Sequence, residues 1–522
     1  MKKPKIVIFA LIAIVFATPL FSQTIINPGF EAGVGDSTFA VGWHTNQAET
    51  KASLELTADG QNQVTKISPS DNWTKSIRQE FDLNIEQFIK YRLSAKMKTE
   101  DMTGERSKAY LFASLYDDQD FQVNYANNRD QNLKNIPEWT DFAIEFVAPP
   151  ETTRLRIGGA LVGKDSGTVW FDDFELALLP FEPDDIQLSE AARNYLQEVR
   201  EVMQEKALHK EKLNFEHIHQ LMQIEASGAK TVEDTYSAIS KGLRLLNDHH
   251  SSFLSADRIK EILGVDTVDI EKLKEDPLSH IEPEKLDSLK AAIDYSSGRI
   301  IHSKTGYIRV PSFTSLYYEG QFLFADSLQQ LIKSLDQPDL RGWIVDLRGN
   351  PGGANAPMIT GIGPLLDDKN TYSYVDSQGQ PVSEYHYVEG GYKIAGSEEE
   401  DTLIHFVKTS YQTQKLNLPV AVLLNDQTAS AAEAVTAAFL GQANVKTFGS
   451  STAGATTGNE AIFLNDGALL NITTSYLADR NKTIYKQGID PDIEVEFNRK
   501  VGEDLESDPV VLKAVEWMKE YN

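Results

Sequence analysis

Two runs, Trp343-Ile-Val345 and Val420-Ala-Val-Leu-Leu424, are apolar at every position, and they limit the chain more than any other feature. A strand with one wet face alternates polar and apolar residues; a strand with no polar position must be covered on both faces. Around them stand TGYIRVPSF, VKTFGSSTAG and LLNITTSYL, with helical spacing between. This predicts an α/β domain over residues 304–499, a sheet layered by helices, followed by a C-terminal helix in 500–522. Tyr372 to Lys393, rich in Tyr and Gly, reads as a hairpin inserted in that domain.

The amino-terminal third obeys a different period. Tyr91-Arg-Leu-Ser-Ala-Lys-Met-Lys98 and Thr153-Arg-Leu-Arg-Ile157 alternate polar and apolar residues, and turn-formers separate several such runs. That pattern predicts an all-β antiparallel sandwich over residues 24–181. Pro180, Pro183 and two aspartates mark a linker. A helical segment and connector follow over 184–303, with apolar residues at helical spacing in Ser189 to Glu205, Thr231 to Leu246 and Pro283 to Ile293.

The first residues, MKKPKIVIFALIAIVFATPLFSQ, join three lysines to an apolar run too short for a stable spanning helix and end in a small residue, Ser22. They read as a signal peptide, residues 1–22, so the protein is expected to be exported, periplasmic or secreted, with no stable membrane insertion after cleavage. The competing reading is an uncleaved anchor. The chain has no cysteine, so disulfides and thiol catalysis are excluded and its 522 residues must be stabilised by cores. A formal charge of −27 repels nucleic acid and anionic membranes, and no nucleic-acid partner is expected.

Three stretches carry the chemistry. NDQTASAAEA, Asn425 to Ala434, sets Ser430 between alanines where a buried strand turns into a helix. Small residues there allow close packing and need no further purpose; equally, a hydroxyl at a helix N-terminus gains from uncommitted backbone N–H groups. DLRGNPGG, Asp346 to Gly353, follows a second apolar strand, and its glycines can turn N–H groups toward an incoming oxygen. GIDPDIEVEF, Gly488 to Phe497, reads alone as a turn leading into a strand.

In this order GYIRVPSF, DLRGNPGG, NDQTASAAEA, GSSTAGA and GIDPDIEV together resemble the core of the tail-specific, or carboxyl-terminal processing, serine peptidases and their tricorn-like relatives. The resemblance implies a crotonase-like α/β core that hydrolyses peptide bonds without a catalytic cofactor. It places the nucleophile at Ser430 and the oxyanion-hole N–H groups at Ala431 and at the pair Gly352 and Gly353, of which Gly353 is favoured. The processing peptidases carry a lysine after T-x-G, but Thr452-Ala-Gly454 is followed here by Ala455. Lys446 and Lys486 are the nearest lysines and fall in no matching motif. The tricorn-like branch uses a histidine, and NDHHSSF resembles its L-x-D-x-H-S signature, placing His250 as general base. Its glutamate would fall at Tyr485, so Asp248, Glu433 or no acid at all remains to orient His250. The 50 or so residues after Ala256 are too few for the PDZ domain of most processing peptidases.

NPGFEAG and GTVWFDDFEL, at the two ends of the sandwich, resemble carbohydrate-binding-module jelly rolls. That resemblance implies a structural calcium between Glu31 and Asp173 and a glycan as partner, beside the protein or peptide substrate of the core. The leading expectation is an exported serine peptidase with Ser430 and His250 as its catalytic pair. The alternative is an inactive peptide- or glycan-binding protein that keeps the peptidase fold.

Overall fold

The computed structural model describes residues 24–32, 39–45, 52–56, 62–68, 74–103, 107–131, 133–163, 167–180, 186–263, 266–267, 293–302, 304–314, 318–367, 370–395, 403–405, 407, 409–415, 417–496 and 504–521. The leader 1–22, Pro183 with its aspartates, and nearly all of the helix expected over Pro283 to Ile293 lie outside the described residues. The chain divides into two compact units, 1–186 and 187–522.

The first unit is a sandwich of two five-stranded sheets. One runs in the order His44–Thr45, Thr74–Asp82, Arg154–Val162, Lys108–Tyr116, Gln122–Asn127; the other runs Ala52–Leu56, Gln63–Ile67, Thr168–Leu179, Ile89–Glu100, Thr140–Ala148. All neighbours are antiparallel. Alternation does the sorting: Tyr91, Leu93, Ala95 and Met97 enter the core, while Arg92, Lys96 and Lys98 face outward. The opening motif is fastened to the closing one. Phe30, Trp43 and Phe174 pack ring to ring at 4.7–6.2 Å, and Phe174 N–H donates to the Pro28 carbonyl at 3.0 Å.

The two aspartates of the closing motif, of which Asp173 is the one expected to share a calcium with Glu31, differ in burial. A β-bulge between Asp172 and Glu175 breaks the alternation, and Asp173, at φ 49°, turns outward to Lys96 at 2.7 Å. The buried acid is Asp172. Burial, with the negative charge of Asp173 and Glu31 beside it, pushes its carboxyl up to about 7.

The second unit begins with helices Glu190–Lys206, Phe215–Glu225 and Tyr236–Arg244. The helix expected from Thr231 starts only at Tyr236, because Asp234 accepts the N–H groups of Lys230 and Thr231 and holds those residues in a turn. Tyr195 and Tyr236 both donate to Asp466, at 2.7 and 2.6 Å, tying this bundle to the turn between strands Thr457–Phe463 and Leu469–Asp479.

The α/β core holds two sheets. The first runs Ser297–Ile301, Thr305–Arg309, Gly342–Asp346, Val420–Leu424, Val445–Gly449, Ile493–Glu494, parallel after its first pair. Helices Tyr318–Leu335, Asn355–Ile362 and Ala431–Phe439 cover one face, and Pro509–Tyr521 covers the other. The second sheet runs Ser252–Leu254, Leu469–Asp479, Asn370–Val375, Pro381–Val388, Gly391–Ala395, Leu403–His405. Tyr372 to Lys393 is a hairpin extended by a third strand, and its first strand pairs with Leu469–Asp479, so it lies in the middle of this sheet; Tyr372 and Tyr385 stack at 4.7 Å and pack it against the core.

Beneath the first sheet's carboxyl end, Arg348 is 2% exposed and held by two acids. Its Nε and Nη2 donate to Asp346 at 2.9 and 2.7 Å, and Nη1 and Nη2 reach Asp508 at 3.2 and 2.9 Å. Tyr307 OH donates to the same Asp346 at 2.8 Å. Removing one member of a buried ionic group leaves the others unpaired, which costs about 3–5 kcal/mol. Arg348→Ala should lower the unfolding free energy of the second unit by about that much in a denaturant titration, and Arg348→Lys should recover only part of it, because an ammonium cannot fork to two carboxylates.

Candidate active site

Strand Val420–Leu424 ends in a turn that the sequence locks in place. Thr428 Oγ1 donates to the Leu347 carbonyl at 3.0 Å, and Ala429 N–H donates to the Asn350 carbonyl at 3.0 Å. Gly349 N–H donates to Asn425 Oδ1 at 3.0 Å. The turn after one strand is thus bonded to the glycine loop after its neighbour.

Ser430 follows at φ 53°, ψ −116°, a conformation a non-glycine residue rarely adopts and which costs on the order of 1–3 kcal/mol. Its N–H donates to Glu433 Oε2 at 2.7 Å. Glu433 is fully buried, and its other oxygen accepts the Thr452 hydroxyl and, at 3.0 Å, the Gly454 N–H. Burial raises its pKa, and these donors oppose the rise. Helix Ala431–Phe439 is buried at all nine positions, which accounts for its small residues: it must fit between elements on every side.

The glycine pair is required by contact. A Cβ on Gly352, at φ 102°, would lie 2.7 Å from Ser430 Cβ; one on Gly353, at φ 124°, would lie 1.9 Å from the Phe313 carbonyl oxygen. Gly352 N–H donates to Asn350 Oδ1 at 2.8 Å. Gly353 sits in a bridge where Phe313 bonds to the residues on either side of it, and its own N–H has no acceptor among the described residues. Ala431 N–H, at the first helical position, also has no acceptor among the described residues. Ala431 adjoins Ser430 in the chain, and Gly352, the neighbour of Gly353, lies against Ser430 Cβ.

His250 follows helix Tyr236–Arg244. Asp248 Oδ1 accepts the N–H of His250 at 3.0 Å and of Ser251 at 2.8 Å, while Oδ2 accepts the Ser251 hydroxyl at 2.7 Å. The His250 carbonyl accepts from Asn459 at 3.3 Å, and its ring Nδ1 lies 2.6 Å from Thr457 Oγ1. Burial lowers the His250 pKa, and the charge of Asp248 works against that. Among the described residues no hydrogen bond joins Asp248 or Glu433 to the ring. Among the described residues no hydrogen bond joins His250 to Ser430; what joins them is the segment Thr452–Thr457, which touches Glu433 at one end and His250 at the other. His249 is exposed.

Sequence reasoning missed Thr457, whose only signal was a hydroxyl at the end of GSSTAGATT. Of the two lysines nearest in sequence, Lys446 is exposed on strand Val445–Gly449, and Lys486 lies over the Tyr476 ring at 5.1 Å. Tyr485 donates to Asp479 at 3.0 Å.

Comparison with known proteins agrees with the core. The model of peptidase family S41 matches residues 304–495. The nisin-resistance protein of Lactococcus lactis subsp. lactis is 32% identical over 244 residues, which cover 46% of this chain and 69% of that protein. The carboxy-terminal processing protease CtpA of Bacillus subtilis (strain 168) is 30% identical over 214 residues, covering 41% of this chain and 39% of CtpA. A lipoprotein from Streptococcus agalactiae superposes with a TM-score of 0.47 at 22% identity, over 66% of this chain and all of that one.

The Glu433 carboxylate has a direct consequence. Glu433→Ala removes the acceptor for Ser430, Thr452 and Gly454 at once, and each buried donor left unpaired costs about 1–3 kcal/mol. The variant should lose at least about 3 kcal/mol in denaturant titration, and its Ser430 should react far more slowly with a fluorophosphonate wherever the chain is still folded.

Proposed function

The chain belongs to peptidase family S41, and we propose that it is an exported serine peptidase in which Ser430 is the nucleophile and His250 the general base. The observation that carries this reading is a serine held at positive φ against the glycine pair, where a Cβ on Gly352 would lie 2.7 Å from Ser430 Cβ, with the N–H groups of Gly353 and Ala431 uncommitted among the described residues. Ser430 Oγ attacks the carbonyl carbon of a peptide bond as His250 takes its proton; the two N–H groups receive the oxyanion; His250 then passes the proton to the leaving amine. Water releases the acyl group by the same steps in reverse. Substrates are proteins or peptides.

Ser430→Ala and His250→Ala should each remove most cleavage of a short unstructured peptide, a loss of at least about 10³-fold, with the unfolding transition kept. A folded wild-type chain that does not react with a fluorophosphonate would instead favour the inactive binding protein. Because burial lowers the His250 pKa, the acid limb of kcat/KM should fall below the ordinary histidine range, and activity should persist at mildly acidic pH.

For the sandwich we propose an accessory role. A glycan is its proposed partner; the aromatic cluster of Tyr110, Phe112 and Tyr125 on the outer face of its first sheet is no free surface for one, since Tyr110 and Phe112 are buried there. We carry the calcium as a proposal with Glu31 and Asp173 as its acidic ligands and Asp172, beside them, as a third, since a cation would relieve the negative charge that helps raise the Asp172 carboxyl. A carboxyl raised by folding stabilises the fold at low pH and loses that contribution as pH rises through its folded value, here about 7. Calcium should therefore raise the Tm of the sandwich transition more at pH 8 than at pH 5.5, relative to chelator. Equal melting with calcium and chelator at pH 8 would remove the site.

A further inference from the structure

We propose that Thr457 is the positioning residue of the base: its hydroxyl oxygen accepts the Nδ1–H of His250 and so leaves the Nε2 lone pair for the serine proton. This rests on the reading of His250 as base and adds what orients it. The 2.6 Å contact between Nδ1 and Oγ1 is the only side-chain hydrogen bond the ring makes among the described residues. Both carboxylates that could have served are spent elsewhere, Asp248 on the N–H groups of His250 and Ser251, and Glu433 on the Ser430 turn.

The hydroxyl is itself fixed. Thr457 opens strand Thr457–Phe463, its N–H donates to the Ala455 carbonyl at 2.9 Å, and it pairs across the ladder with Tyr476. A β-branched side chain in such a place has few rotamers to choose from. The same strand pair grips the histidine loop at two further points: Asn459 donates to the His250 carbonyl at 3.3 Å, and Ser251 Oγ accepts the Thr473 N–H at 2.9 Å. Asp248 faces His250 from its own loop. On the strand side stands Tyr476, with His209 3.4 Å from its hydroxyl and Lys486 over its ring.

An uncharged partner orients imidazole without stabilising imidazolium as a carboxylate does. In the reaction the Nδ1–H stays with Thr457 throughout. The Ser430 proton moves to Nε2 as the Oγ–C bond forms, and moves on to the leaving nitrogen as the C–N bond breaks.

The test uses the full chain, labelled with ¹⁵N-histidine. Long-range ¹H–¹⁵N spectra should show His250, assigned by its loss in His250→Ala, as the Nδ1–H tautomer, and in Thr457→Val that tautomer should lose population. Thr457→Val should lower kcat by about 10-fold or more with KM within about 2-fold, and Thr457→Ser should recover kcat to within about 3-fold of wild type. A wild-type His250 protonated on Nε2, or a Thr457→Val with wild-type kcat beside an inactive His250→Ala, overturns the role of Thr457 alone. A fully active His250→Ala overturns the base assignment and this inference with it. The tautomer needs no variant at 457, so the proposal is testable even if that substitution prevents folding.

Discussion

The arrangement around Ser430 depends on a charge buried where no water can reach it. Arg348 lies under the glycine loop with Asp346 and Asp508 as its partners, and each comes from a different part of the chain: a strand end, the loop itself, and the start of the last helix. Such a group stabilises little on balance, since desolvation offsets most of the attraction. What it supplies is position, because three fully desolvated charges tolerate few alternative geometries. The loop above them runs Asn350, Gly352, Gly353 against the Phe313 backbone and the serine turn, with gaps too narrow for a single added methyl.

A second constraint opposes the first. Ser430 sits in a backbone conformation that favours glycine, and the Glu433 carboxylate, buried and bonded to Ser430, Thr452 and Gly454, holds it there. The strain and its restraint lie within one turn of helix. The surrounding helix can be so short in side chains because it is enclosed on every face, so the alanines serve packing and access together.

Much of this was legible in sequence because it follows from local rules. All-apolar strands announced a covered parallel sheet, alternation announced the sandwich, and glycines beside a lone serine announced close approach. What was not legible depended on pairing across long separations. Glu433 stood open as a partner for His250, yet its place three residues into the helix directs it to the Ser430 N–H instead. Asp172 and Asp173 exchange faces through a bulge that no alternation rule foresees. Thr457 meets His250 from 207 positions away, and nothing in Ala-Thr-Thr-Gly distinguishes one hydroxyl from the other.

That last separation bears on how the protein is made. His250 precedes Ser430 in the chain, but every strand residue that grips its loop, Thr457, Asn459 and Thr473, follows the serine, and Asp508, which completes the charge under the glycine loop, comes later still. Synthesis runs from the amino terminus, so the histidine emerges long before anything exists to hold it. A nascent chain halted before Thr457 has the histidine loop without the strand that seats it, and one halted before Asp508 has the glycine loop without the last partner of Arg348. The order of residues along the polypeptide thus acts as a delay: the serine and the histidine are both made before the strand and the aspartate that fix their surroundings.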